Sequence, residues 1–148
     1  MIHKQMAIEF FNKTWELLEK KDRTKDEDAL MIHQAHASLY HWLQIGGLIN
    51  FQRGEWLVSH VYSILKMHES ALYHAKRCLD ITLDNNIGDF DLTFSYEAMA
   101  RSYSLVDNNK ASEYLKLAYE SIDKIKNYEN KEYCTTQLDE IITSLGFD

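Results

Sequence analysis

Histidine changes charge closest to neutral pH, and three of the seven in this 148-residue chain, His33, His36 and His41, fall between Ala29 and Trp42. Such a cluster can move protons or hold a metal. On a helix His33 and His36 share a face, whereas His41 lies about 140° around the axis from His36 and about 80° from His33. One straight helix therefore cannot bring all three to a single ion. A metal site would need His33 and His36 with a ligand from elsewhere, or one histidine with His60 or His74. No HExxH or Glu-x-x-His pair is present, and no pattern calls for a cofactor. The preferred reading is hydrogen-bonded, half-buried histidines on a central helix. A second constellation is Arg53-Gly54-Glu55-Trp56-Leu57-Val58-Ser59-His60, where an arginine could stabilise developing charge and a histidine could move a proton. Gly-rich phosphate loops and nucleophiles in a recognisable setting are absent.

The bulk of the chain narrows the classes. A formal net charge of −7 and a pI near 5.5 disfavour nucleic acid, which needs phosphate-neutralising Lys and Arg. The N-terminal residues show no apolar h-region and no small-residue cleavage site, so no signal peptide is expected. From Ala29 to Gln52 there is no Asp, Glu, Lys or Arg. That stretch still carries three histidines, Gln34, Gln44, Asn50 and Gln52, and it breaks at Gly46-Gly47, so a membrane span would be costly. It is expected to be the most buried helix of a soluble domain. Cys78 and Cys134 sit among apolar residues at helical spacing and are expected as reduced core thiols in a cytoplasmic protein.

The elements that must position these residues are helices. There is no proline, and breaks at Asp22–Lys25, Gly46-Gly47, Met67–Glu69, Asn85–Gly88, Asp107–Asn109 and Asn127–Asn130 divide the chain into seven helical segments. Apolar stripes at three- and four-residue spacing run through Ile8, Phe11, Trp15 and Leu18, and through Leu92, Tyr96, Met99 and Tyr103. Others run through Ala111, Leu115, Ala118, Ile122 and Ile125, and through Cys134, Leu138, Ile141 and Leu145. Thr24 to Glu27 has the form of a capping box, and Asp89 and Asn130 are expected caps. Residues 46–52 are expected as an apolar loop tucked over the core, with a lid as its functional reading. No segment shows sustained two-residue alternation, so the fold class is all-α, a single domain over 1–148.

The segment Asn109–Glu120, with Ala111, Leu115 and Ala118, resembles the second helix of a tetratricopeptide (TPR) hairpin, and Tyr96, Met99, Ala100 and Tyr103 match its first helix. Trp56, Ser59, His60 and Ser63, followed by Ala71, Ala75 and Cys78, form an earlier copy. The copies are offset by forty residues, where the standard repeat takes about 34, and both lack the closing proline. The resemblance covers 53–126 and implies TPR-like hairpins at 53–84 and 90–126. Residues 1–45 would be a divergent leading hairpin and 130–146 a capping helix. It further implies a protein- or peptide-binding scaffold, whose groove is lined by the first helix of each hairpin. That groove would draw on Arg53, Trp56, His60, Ser63, Glu97, Arg101 and Ser104, a polar set suited to a polar peptide. The open ends of such a stack are compatible with a homodimer. Arg53 and His60, with six residues between them, also resemble the active-site pattern of small all-α HEPN-type ribonucleases. An enzyme of that type, or a small helical hydrolase, would use His36, His41, Arg53 and His60. The scaffold is the preferred expectation.

Overall fold

The computed structural model describes residues 2–146. Among them are seven α-helices and no strand: α1 (Ile2–Glu19), α2 (Lys25–Ile45), α3 (Leu48–Ile64), α4 (His68–Asp84), α5 (Asp89–Tyr103), α6 (Asn108–Ile122) and α7 (Tyr128–Ser144). The all-α expectation is met, with helix ends close to those read from the sequence. Short turns join consecutive helices that pack on each other, so neighbours run antiparallel. Each helix touches the next, and α3, α5 and α7 also touch in series, which sets the odd-numbered helices side by side.

Without proline, the helices stop by backbone geometry. Lys66 (φ 62°) and Asn86 (φ 52°) take the left-handed conformation that ends α3 and α4. In both turns the third residue beyond the helix donates back across the last turn, Met67 N to Tyr62 O and Ile87 N to Thr82 O, each at 2.9 Å. The starts are set by side chains. Thr24 and Glu27 make the expected reciprocal capping box at the start of α2. At α7 the cap is Asn127, whose Oδ1 accepts from Asn130 N, so the expected Asn130 cap moves three residues upstream. Gly88, not Asp89, holds the cap position of α5; the Asp89 carboxylate instead accepts from the next amide, Phe90 N.

Two further expectations are corrected. Residues 48–52 are the first turn and a half of α3, not a loop, because the Asn50 side chain accepts from Gly47 N and starts the helix directly after the glycines. Nor is α2, uncharged from Ala29 onward, the most buried helix. Only Met31, Ala35, Ser38 and Leu39 of its 21 residues are buried, while α3 buries nine of 17 and α5 eight of 15. Position explains this: α3 and α5 have neighbours on several sides, whereas α2 lies near one end and leaves Leu30, Tyr40 and Leu43 exposed.

The core has three clusters. One joins α1, α2 and α3 around Met31, Leu57 and Val61; one joins α5, α6 and α7 around Leu115, Leu138 and Ile141; a smaller one holds Ala75, Ala98 and Met99. Trp56 packs against the first and the small cluster, and Tyr114 against the small one and the last, so the three are continuous. Small residues set the helix spacing. Ala71, Ala75 and Cys78 of α4 and Ala111 and Ala118 of α6 are fully buried. At Gly54 a Cβ would come within 2.6 Å of Leu39 Cδ1, so a larger residue there would push the Leu39 side chain aside.

Lys66 pays a steric penalty for its left-handed backbone that glycine would not. Lys66→Gly is expected to raise stability by about 1 kcal/mol, and Lys66→Val to lower it, in chemical denaturation. Equal midpoints for all three proteins would contradict the assigned turn.

Candidate functional site

A cleft of about 170 Å³ opens among the odd-numbered helices, and every residue lining it comes from them. Helix α1 supplies Phe11 and Trp15, one turn apart on its inward stripe. Helix α3 supplies Gln52, Arg53 and Trp56, α5 supplies Phe90, Asp91 and Phe94, and α7 supplies Tyr133. Six of the nine are aromatic. Trp15 stacks on Trp56 (centroids 6.0 Å), Phe94 meets Trp56 edge-on (5.3 Å), and Tyr133 lies 5.9 Å from Phe94. Such tilted and offset contacts are the favourable geometry for quadrupolar rings.

Charge at the cleft is self-compensated. Arg53 Nε and Nη2 grip the two carboxylate oxygens of Asp91 at 3.0 Å each, and the guanidinium lies 5.2 Å over the Phe90 ring. Beneath the wall, Trp56 Nε1 donates to Glu97 Oε1 (2.7 Å) and Arg101 Nε donates to Glu97 Oε2 (2.6 Å). Glu97 is 1% exposed, so this carboxylate is held entirely by its neighbours. Arg101 reaches on to the Gln137 backbone and side-chain oxygens and so ties α5 to α7.

Of the expected groove residues, Arg53 and Trp56 line the cleft. His60, Ser63 and Glu97 are buried, Arg101 is spent on Glu97, and Ser104 donates to the Arg101 carbonyl. Ser63 faces Ser102 at 3.4 Å inside the α3–α5 contact. The lining of the cleft is therefore mainly aromatic, because most of these polar side chains are turned into the helix packing or spent on neighbours in their own helix. Sequence reasoning passed over Phe11, Trp15, Gln52, Phe90, Asp91, Phe94 and Tyr133. The available signal was the aromatic pair four residues apart in α1 (Phe11, Trp15), matched in α5 (Phe90, Phe94).

The four residues of the enzyme reading have separate surroundings. His36 Nε2 meets the Tyr62 hydroxyl at 2.9 Å, and His41 Nδ1 meets His3 Nδ1 at 2.9 Å. Arg53 is on Asp91, and His60 is stacked on Trp56 at 4.7 Å and packed against Trp15 at 5.9 Å. The two clefts that Arg53 lines contain none of these histidines. His33 is exposed, and no group of three His, Cys, Asp or Glu side chains among the described residues is arranged to hold a metal. A different pairing forms on the α3–α4 side. Glu55, 6% exposed, takes His74 Nδ1 at 2.7 Å and Arg77 Nε at 3.2 Å, and the His74 ring lies 5.4 Å from that of His36.

Burial sets the protonation of the two inward histidines. Desolvation, with the Arg101 charge adding to it, brings His60 down to about 4. His36 is lowered as well, by burial first and by His74 second. Burial likewise pushes the Cys134 thiol up to about 12, so it is a packing residue, not a nucleophile.

Two outcomes follow. As pH falls below about 6.5 the unfolded chain protonates His60 before the folded one does, so stability present at neutral pH is lost towards pH 4. The loss attributable to His60 is about 3 kcal/mol and should be missing in His60→Phe, as read from urea midpoints across that range. Arg101→Ala should cost about 3 kcal/mol by stranding the buried Glu97 carboxylate, whereas Arg101→Ala with Glu97→Gln should recover part of it. Additive losses in the double variant would refute the coupling.

No protein-family model, curated protein or solved structure matches this chain, so it is the geometry of the cleft that bears on function.

Proposed function

We propose that this chain is a TPR-like scaffold module that holds a protein or peptide partner on the face formed by α1, α3, α5 and α7. The observation that carries the reading is the cleft itself, which draws on all four of those helices and on no other. Stacked hairpins use this face for extended peptides, because their first helices stand side by side and leave grooves between them. The buried alanines of α4 and α6, at the positions where the repeat resemblance requires small residues, support the same reading. The partner meets rings and one neutralised ion pair, so an apolar anchor suits the site better than a charged segment. No described helix is long and apolar enough to cross a membrane, and two buried thiols fit a cytoplasmic module. The ribonuclease or hydrolase alternative loses ground, since neither of the two clefts that Arg53 lines contains His36, His41 or His60.

Selection of a random peptide-display library on the wild-type chain tests the proposal. Enriched peptides should share an apolar or aromatic anchor and bind Phe90→Ala and Tyr133→Ala at least about tenfold more weakly, with both variants still folded. Peptides indifferent to both substitutions, or no enrichment, would dismiss this face.

A further inference from the structure

Exposed apolar side chains gather at the turn between α2 and α3. Of sixteen large ones among the described residues, five fall within ten positions: Tyr40, Leu43, Ile45, Leu48 and Ile49, each 38–57% exposed. Scattered singly such residues need no explanation, but a concentration of them marks a contact surface. The turn holds them firmly. Gly46 N donates to Trp42 O at 2.6 Å and Gly47 N to Asn50 Oδ1 at 3.0 Å, with only those two glycines between the helices. Beside them opens the second cleft that Arg53 lines, about 170 Å³, walled by Ile8, Phe11, Trp42, Asn50, Arg53 and Gly54. Trp42 directly precedes Leu43 and Asn50 directly follows Ile49, so projection and recess are neighbours at one end of the molecule.

We propose that this end is a twofold interface with a second copy of the chain, Leu48 and Ile49 of each copy entering the Trp42 cleft of the other. The contact is additional to the peptide reading, whose aromatic cleft shares only Phe11 and Arg53 with this one. A patch that carries projection and recess side by side is self-complementary, and a twofold axis closes such a contact at two copies. Charge selects the same occupant. Each copy has a formal net charge of −7, so copies repel, and they meet at least cost where neither brings a charge. Residues 29–52, which include the whole turn, hold no Asp, Glu, Lys or Arg, and the neighbouring Arg53 is neutralised by Asp91. An anionic membrane would be repelled by the same net charge. With Ile8 on the rim, Leu43, Ile45, Leu48 and Ile49 expose on the order of 400 Å². In an interface about 65% apolar this corresponds to roughly 600 Å² per copy, the lower end for stable complexes, which places the dissociation constant in the micromolar range.

Sedimentation of the full chain from about 1 to about 300 µM tests the interface. Wild type should show a monomer–dimer equilibrium that tightens at high salt, because screening removes the repulsion and no ion pair spans the contact. Leu43→Glu and Leu48→Glu should each weaken the dimer at least about tenfold. Leu117→Glu, which adds the same charge on α6, should not. All three positions are exposed, so the variants keep the fold, as circular dichroism would verify. A monomer at every concentration, or a dimer indifferent to both turn substitutions, would overturn the proposal. So would equal weakening by Leu117→Glu, which would reduce the effect to net charge. Uncharged phosphatidylcholine vesicles should leave the chain unbound; binding that Leu48→Glu abolishes would assign the turn to a lipid surface instead.

Discussion

The buried Glu97 carboxylate organises this fold. At 1% exposure it has lost nearly all its water, and such a charge is tolerable only where the chain supplies oriented donors. Two are present, the Trp56 indole from α3 and the Arg101 guanidinium one turn along α5. The requirement to satisfy Glu97 thus fixes the α3–α5 contact in register and pins the Trp56 ring. Trp56 then stacks on Trp15 and His60 and meets Phe94 edge-on, so one ring links α1, α3 and α5. Arg101 extends the network to Gln137 of α7. Trp15, Trp56 and Phe94 of this set line the aromatic cleft, and the ionic network stands behind its wall.

The polar interior has a second consequence. α5 buries Asp91, Thr93, Ser95, Glu97 and Ser102, more polar residues than a helix at the centre of a small fold would be expected to hide. Each finds a partner: Asp91 holds Arg53, Thr93 meets Ser121 at 2.6 Å, and Ser102 sits near Ser59 and Ser63. Directional pairs of this kind penalise register slips between helices that small residues alone would permit. Gln52 is an exception, since half its amide serves the α3–α5 contact and the other half has no protein partner. Gln34 Oε1 and His60 Nδ1 are likewise buried without a partner among the described residues.

The amino-acid sequence by itself determined the helices. Their number, nearly all their boundaries, the Thr24–Glu27 box and the small-residue positions of α4 and α6 follow from local periodicity and capping, which act over three to four residues. It misjudged what depends on distant neighbours. Absence of charge from Ala29 to Gln52 made α2 look central, yet exposure is decided by how many helices surround an element, and α2 lies near the end of the stack. Residues 48–52 looked like a loop because two glycines precede them, yet one Asn50 side chain starts the helix there. Only the tertiary structure decided which side chains line the cleft and which face each other. Glu97, Arg101, His60 and Ser63 are polar in the sequence whether they bind a ligand or a neighbouring helix. The choice between those fates lies in contacts some forty residues apart, such as Trp56 with Glu97, and local physics carries no record of them.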